Sequence, residues 1–205
     1  MSSLQDLKAK LCQIMKELYA EKILTDIGGN VSIRSPDDDT IWISPSGMKK
    51  DTLKPEHIVQ VSMEGETLHD TTGKGPSVEY PMHLAAYKED VDFKAIIHSH
   101  APLATAFSVL QNPPKIPLLT PELAFLIPEI VIVPYQRPGS KELAEAVSEA
   151  LFDCDIVIME NHGVIVATDT LERAAAKTRA MEEYLQLYLN AKKFGVDIRE
   201  LPSFS

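Results

Sequence analysis

The chain has 205 residues, 44% apolar and 24% charged, which is long enough for a substantial core and free of low-complexity bias. A net charge of −10 argues against a nucleic-acid partner, and two cysteines, Cys12 and Cys154, are too few for a disulfide framework. No apolar run approaches the ~18 residues of a membrane span, and the first segment is a charged amphipathic stretch rather than a signal peptide, so a single domain over residues 1–205 is expected in the cytoplasm.

Leu4, Leu7, Leu11, Ile14, Met15 and Leu18 recur at helical spacing and predict an amphipathic helix of roughly five turns. Thr25-Asp26-Ile27-Gly28-Gly29-Asn30 then leads into the alternating Val31-Ser32-Ile33-Arg34. Two glycines and an Asn before a strand make either a plain turn or a nest of outward N–H groups that suits an anion. Residues 36–39 turn the chain into a strand over Thr40–Ser44, and Ser44-Pro45-Ser46-Gly47-Met48 is a second small-residue loop. Residues 58–63 read as a strand, Glu64-Gly65-Glu66 as a turn and residues 69–75 as a polar loop, with His57 and His69 as surface residues.

A helix is expected from Ser77 or Val78 to about Lys88, with Glu79 and His83 one turn apart as a helix-stabilising pair or a metal-holding one. Residues 93–99 form the next strand, followed by a short helix to about Leu110. Pro113, Pro114, Pro117, Pro121 and Pro128 interrupt the segment 111–129, which is too apolar for a free linker. It is expected to pack on the domain or on a neighbouring subunit, with one short helix near residues 122–126. Residues 130–133 read as a strand, and Ser140 caps a helix to about Leu151. Two strands, 155–160 and 163–167, meet at Asn161-His162, and Asp169 with Glu172 resembles a cap for a last helix from Thr170 to about Phe194, closed by Gly195. This order predicts a mixed or mostly antiparallel sheet flanked by helices.

The chemistry concentrates between Pro76 and His100. His98 and His100 end the apolar run Ala95-Ile96-Ile97, and residues two apart on a strand project the same way. His162 follows a second apolar strand, with a Gly behind it that permits close approach. Three imidazoles with the Glu79 carboxylate suit zinc or a similar divalent ion; a histidine pair without metal is the alternative. Such an ion stays Lewis-acidic, and a carboxylate at its edge is a ligand at rest and a base when displaced. Breaking a C–C bond next to a carbonyl needs both parts.

TDIGGNVSIR, ISPSGM, PSVEYPMHLAAYK, IIHSHAPLATAFS and ENHGVIVA occur in the order found in the class II sugar-phosphate aldolase and adducin-head superfamily. The chain resembles its L-fuculose-1-phosphate aldolase branch most, from the first helix to about residue 190. The resemblance implies a three-layer α/β/α fold around a central, largely antiparallel sheet, and a C4 homotetramer with sites at subunit boundaries. It implies Zn²⁺, or another divalent transition metal, held by His98, His100, His162 and Glu79, with phosphate contacts from Gly29, Asn30, Ser46, Gly47 and Ser77. The implied activity is cleavage of a small ketose-phosphate to dihydroxyacetone phosphate and an aldehyde, with Glu79 shuttling the proton. The alternatives are a pentulose-5-phosphate 4-epimerase, a decarboxylase or a dehydratase on the same metal site, and, in a different class, a non-catalytic adducin-like binding module. Val78 departs from the family's Ser-Ser-Glu triplet, and the segment 111–129 has no counterpart of the tyrosine that the fuculose enzyme supplies across its subunit boundary.

Overall fold

In the computed structural model, which describes residues 3–127 and 129–202, one eight-stranded sheet carries the architecture. Its strands are β1 (Asn30–Arg34), β2 (Thr40–Ile43), β3 (Val59–Ser62), β4 (Thr67–His69), β5 (Ala95–Ser99), β6 (Val131–Val133), β7 (Ile156–Met159) and β8 (Gly163–Thr168). They lie in the order β4-β3-β2-β1-β5-β8-β7-β6. Every neighbouring pair is antiparallel except β6 with β7. The helices are α1 (Leu4–Ala20), α2 (Tyr80–Glu89), α3 (Pro102–Ser108), α4 (Pro121–Leu126), α5 (Lys141–Leu151) and α6 (Leu171–Lys192). No helix among the described residues is long and apolar enough to cross a membrane.

The period of two along the central strands builds the layers. Ala95 and Ile97 of β5, with Val164 and Val166 of β8, enter a core shared with α1, α3, α4 and α6. Ile96, Ile165 and Ala167 point the other way, into a core shared with α2 and α5. Both faces are covered, so β5 and β8 are buried along their whole length and read as continuous apolar runs rather than alternating ones.

The structure departs from the expected elements at three places. α2 begins at Tyr80 rather than at Ser77 or Val78, so Glu79 stands before it as the N-cap. Thr67–His69 pairs with β3 as an exposed edge strand, where a loop was expected from His69, and the His69 ring rests 5.8 Å from that of Trp42. The N-cap of α6 is Thr170, whose hydroxyl accepts from Arg173 N, while Asp169 pairs with the Arg173 guanidinium instead. The Ser140 cap is present, its hydroxyl accepting from Leu143 N at 3.1 Å. Ser140→Ala should cost about 1 kcal/mol, read as a lower urea midpoint at constant slope.

The proline-rich segment packs on its own chain. The Tyr184 hydroxyl donates to the Pro117 carbonyl at 2.6 Å, and the buried Lys177 ammonium donates to the Leu126 carbonyl while pairing with Asp155. Leu123 and Ile127 complete that side of the core. The expected helix spans Pro121–Leu126, and Pro128 lies outside the described residues.

Candidate metal centre

β5 delivers His98 as its fourth residue, fully buried, and His100 follows directly after the strand. The β7–β8 connection turns through Asn161 at φ 54°, a left-handed conformation Asn tolerates better than most residues. That turn sets His162 beside the β5 pair. Glu79 is the N-cap residue of α2, yet its carboxylate makes no capping bond and faces the imidazoles. The ring centroids stand 4.7 Å (His98–His100), 4.8 Å (His98–His162) and 5.2 Å (His100–His162) apart. One potential ligand atom from each of the four residues lies within 4.8 Å of all the others. Two ligands bound to one zinc ion stand roughly 3.4 Å apart, so the cluster is of that scale.

His98 Nδ1 lies 3.0 Å from the Val164 carbonyl, which only accepts, so Nδ1 carries the hydrogen and Nε2 presents a lone pair. That lone pair faces His100 Nε2 at 2.9 Å and Glu79 Oε2 at 3.2 Å. Glu79 Oε1 stands 2.9 Å from His162 Nε2, but it is buried with no hydrogen-bond partner, as is His162 Nδ1. The lone pairs of His98 Nε2 and Glu79 Oε2 face each other at 3.2 Å with no proton between them and repel, and a shared divalent cation turns that repulsion into bonding. The donor set of imidazole nitrogens and one carboxylate suits such an ion.

Burial alone would raise the Glu79 carboxyl, but the neighbouring imidazoles of His98 and His162 outweigh it and hold it well below the usual carboxylate range. Burial, then the imidazoles of His98 and His162, push His100 down to about 4, so its ring is neutral near pH 7 with a lone pair to offer.

The Glu79–His83 spacing does not make a metal pair. His83 Nε2 turns to Asn30 Oδ1 at 2.5 Å, and Asn30 Nδ2 donates to Glu79 Oε2 at 3.0 Å. The two helix residues therefore meet through a strand residue that no helical spacing reveals.

The expected anion-binding positions lie on three turns joined at Ser44. Val31 N donates to the Ser44 hydroxyl, Ser44 N donates to the Val31 carbonyl, and Ser77 N donates to the Ser44 carbonyl. An isolated bridge between Pro45 and Pro76 adds to this. Gly29, Asn30, Ser46, Gly47 and Ser77 are thus carried on adjoining backbone. The Asn30 side chain is engaged by Glu79 and His83, and Gly47, at φ 59°, faces open space.

Two neighbours of the site escape the sequence reading. A Cβ at Gly28 would stand 2.6 Å from His100 Nδ1, so only glycine lets this turn pass the ring. Lys50 is buried, which lowers its ammonium against the opposing charge of Asp26, and its own charge adds to the lowering of His100. Lys49-Lys50 in a loop reads as surface, so no signal marked it.

Residues 9–189 match the family model described as Class II Aldolase and Adducin N-terminal domain. An L-fuculose phosphate aldolase of Methanococcus maripaludis is 37% identical over 178 residues, 87% of this chain and 92% of that one. A 3-oxo-tetronate 4-phosphate decarboxylase of Haemophilus influenzae is 33% identical over 95% of this chain and 91% of its own. Among solved structures, YgbL of Klebsiella pneumoniae superposes with a TM-score of 0.90 at 28% identity, covering 99% of this chain and 97% of that one.

Proposed function

The chain belongs to the class II aldolase and adducin N-terminal domain family and is a lyase of that family, and from this premise we propose that it cleaves a small ketose-phosphate of the L-fuculose-1-phosphate kind to dihydroxyacetone phosphate and an aldehyde. The observation that carries the reading is the Glu79 carboxylate set among three imidazoles, with Oε2 held by Asn30 and Oε1 without a partner. In this reading His98, His100, His162 and Glu79 hold Zn²⁺, and the substrate phosphate meets the turns of Gly29, Asn30, Ser46, Gly47 and Ser77. A divalent ion, when bound there, supplies Lewis acidity that polarises a carbonyl oxygen. Retro-aldol cleavage moves one proton, from the hydroxyl that becomes the aldehyde to the carbon that loses its bond, and we assign its carriage to Glu79 Oε1. Buried surroundings limit competing exchange with water. The same reading takes a C4 homotetramer as the assembly and the cytoplasm as its place.

The likeness to a 3-oxo-tetronate 4-phosphate decarboxylase supports a second reading, loss of carbon dioxide at the same centre. Metal-loaded protein incubated with ketose-1-phosphates, pentulose-5-phosphates and 3-oxo acid phosphates separates the cases. Dihydroxyacetone phosphate is the expected product. Release of carbon dioxide alone supports the decarboxylase, and a stereoisomer without fragments an epimerase. Full turnover after complete chelation contradicts every metal-dependent version.

A further inference from the structure

Behind Glu79 lies a run of buried polar groups that the lyase reaction does not itself require. Glu79, the N-cap of α2, and His83 and Tyr87 within the helix are spaced four apart, along one face. Asn30 and Ser32 are two apart on β1, one face of the strand. The two faces interlock. Ser32 Oγ lies 2.9 Å from the Tyr87 hydroxyl and 2.7 Å from His83 Nδ1, His83 Nε2 reaches Asn30 Oδ1, and Asn30 Nδ2 reaches Glu79 Oε2. Ser32, His83 and Tyr87 are fully buried and Asn30 is nearly so.

The direction of every bond is determined by chemistry. A carboxylate accepts only, so the Asn30 amide must present its NH₂ to Glu79 and its carbonyl oxygen to His83. That oxygen accepts only, so His83 carries its hydrogen on Nε2. Burial makes the charged ring costly, holding it down to about 3, so Nδ1 is a bare acceptor and Ser32 donates to it. The serine oxygen then accepts from Tyr87, whose hydroxyl burial keeps protonated. Each group donates toward the carboxylate, and reversing any one of them leaves two donors or two acceptors face to face in a dry interior.

We propose that Tyr87, Ser32, His83 and Asn30 form a one-way hydrogen-bond relay that positions the Glu79 carboxylate, anchoring Oε2 and leaving Oε1 as the oxygen that works at the centre. The proposal rests on the reading of Glu79 as ligand and proton carrier. His83 is a positioning residue in this scheme: its ring nitrogens bond Ser32 and Asn30, and it reaches Glu79 through Asn30. The relay answers a specific problem. A carboxylate at a helix N-cap with no capping bond is free to rotate, and one directed donor removes that freedom.

The test is a titration of the metal-free full chain with Co²⁺, read by visible absorption, together with kcat and KM of the zinc-loaded enzyme. His83→Leu should shift the Co²⁺ spectrum, weaken Co²⁺ binding about tenfold, of the order seen when groups behind metal ligands are lost, and lower kcat with KM within twofold of wild type. His83→Gln, whose amide N–H can take the place of Nε2–H, should recover most of each. Asn30→Ala should shift the Co²⁺ spectrum and weaken Co²⁺ binding as much as His83→Leu, and the double variant no more than either, because one cut already opens the relay; Asn30 also lies on a turn assigned to the substrate phosphate, so its KM should rise as well. Additive losses, or a wild-type Co²⁺ spectrum and affinity in His83→Leu, would overturn the relay. Should His83→Leu fail to fold, the contrast between His83→Gln and Asn30→Ala decides, and equal behaviour of those two rejects the proposal. Glu79→Gln is the control. If it leaves the Co²⁺ spectrum unchanged, the ligand reading fails and the relay with it. If it alters the spectrum while His83→Leu does not, only the relay fails.

Discussion

Glu79→Gln should bind zinc and lose between about a hundredfold and ten-thousandfold in kcat, the usual span for removing a positioned proton carrier. The glutamine has the shape of the glutamate, so packing at the start of α2 should survive. The imidazoles of His98, His100 and His162 remain to hold the ion. What disappears is the one buried group near the cluster with an unpartnered, negatively charged oxygen, Oε1. His100→Ala should give the opposite pattern. It removes a nitrogen 2.9 Å from His98 Nε2, and metal content should fall together with turnover. Metal analysis of dialysed protein, paired with steady-state kinetics, distinguishes the two. A glutamine variant that keeps most of its rate would reduce Glu79 to a ligand and return the proton to another group.

The parts of this protein legible in the sequence are those set by short periods. The 3.6-residue period of Leu4 to Leu18 marks α1, and the period of two that ends in His98 and His100 places a strand and an imidazole pair. Ser140 is readable as a cap because its partner is three residues away. Asp169 and Thr170 both suit the next cap by residue type, and Thr170 takes it because its hydroxyl, one residue on, is the one that reaches Arg173 N. His83 shows the other limit. Its helical spacing to Glu79 is visible, but its partners, Asn30 and Ser32, lie more than fifty positions upstream on β1. No local pattern encodes a register between a helix and a strand so far apart. The same holds for Gly28 against His100 and for the buried Lys50, which read as ordinary turn and surface residues in the sequence. The grouping of Glu79, His98, His100 and His162 is legible because chemistry singles out these residue types, and the structure adds which atoms face which.

Gly163→Ala should cost both stability and the metal, although alanine changes only one methyl group. Gly163 opens β8 directly after His162, and β8 pairs with β5, where Ser99 faces Val164. A Cβ at this position would collide with the Ser99 carbonyl oxygen and stand 2.9 Å from His100 Cδ2 and 3.4 Å from His98 Cε1. The carbonyl belongs to a strand held by β1 on one side and β8 on the other, so it cannot retreat without disturbing the sheet. Overpacking of this kind costs about 1–3 kcal/mol. The rings yield more readily than the backbone, and a displaced His100 ring no longer shares a focus with His98 and His162. Metal affinity should fall about tenfold to a hundredfold, as for other changes that disturb ligand orientation. Gly73→Ala supplies the comparison. Gly73 sits at φ 66° with nothing within 4 Å of a new Cβ, so alanine there meets only backbone strain of about 1–2 kcal/mol and should leave metal affinity alone. Chelator competition and thermal unfolding of both variants measure the difference. If Gly163→Ala binds metal like the wild type, His98 and His100 tolerate a wider gap to β8 than this geometry allows, and the tight convergence of the three rings is not what holds the ion.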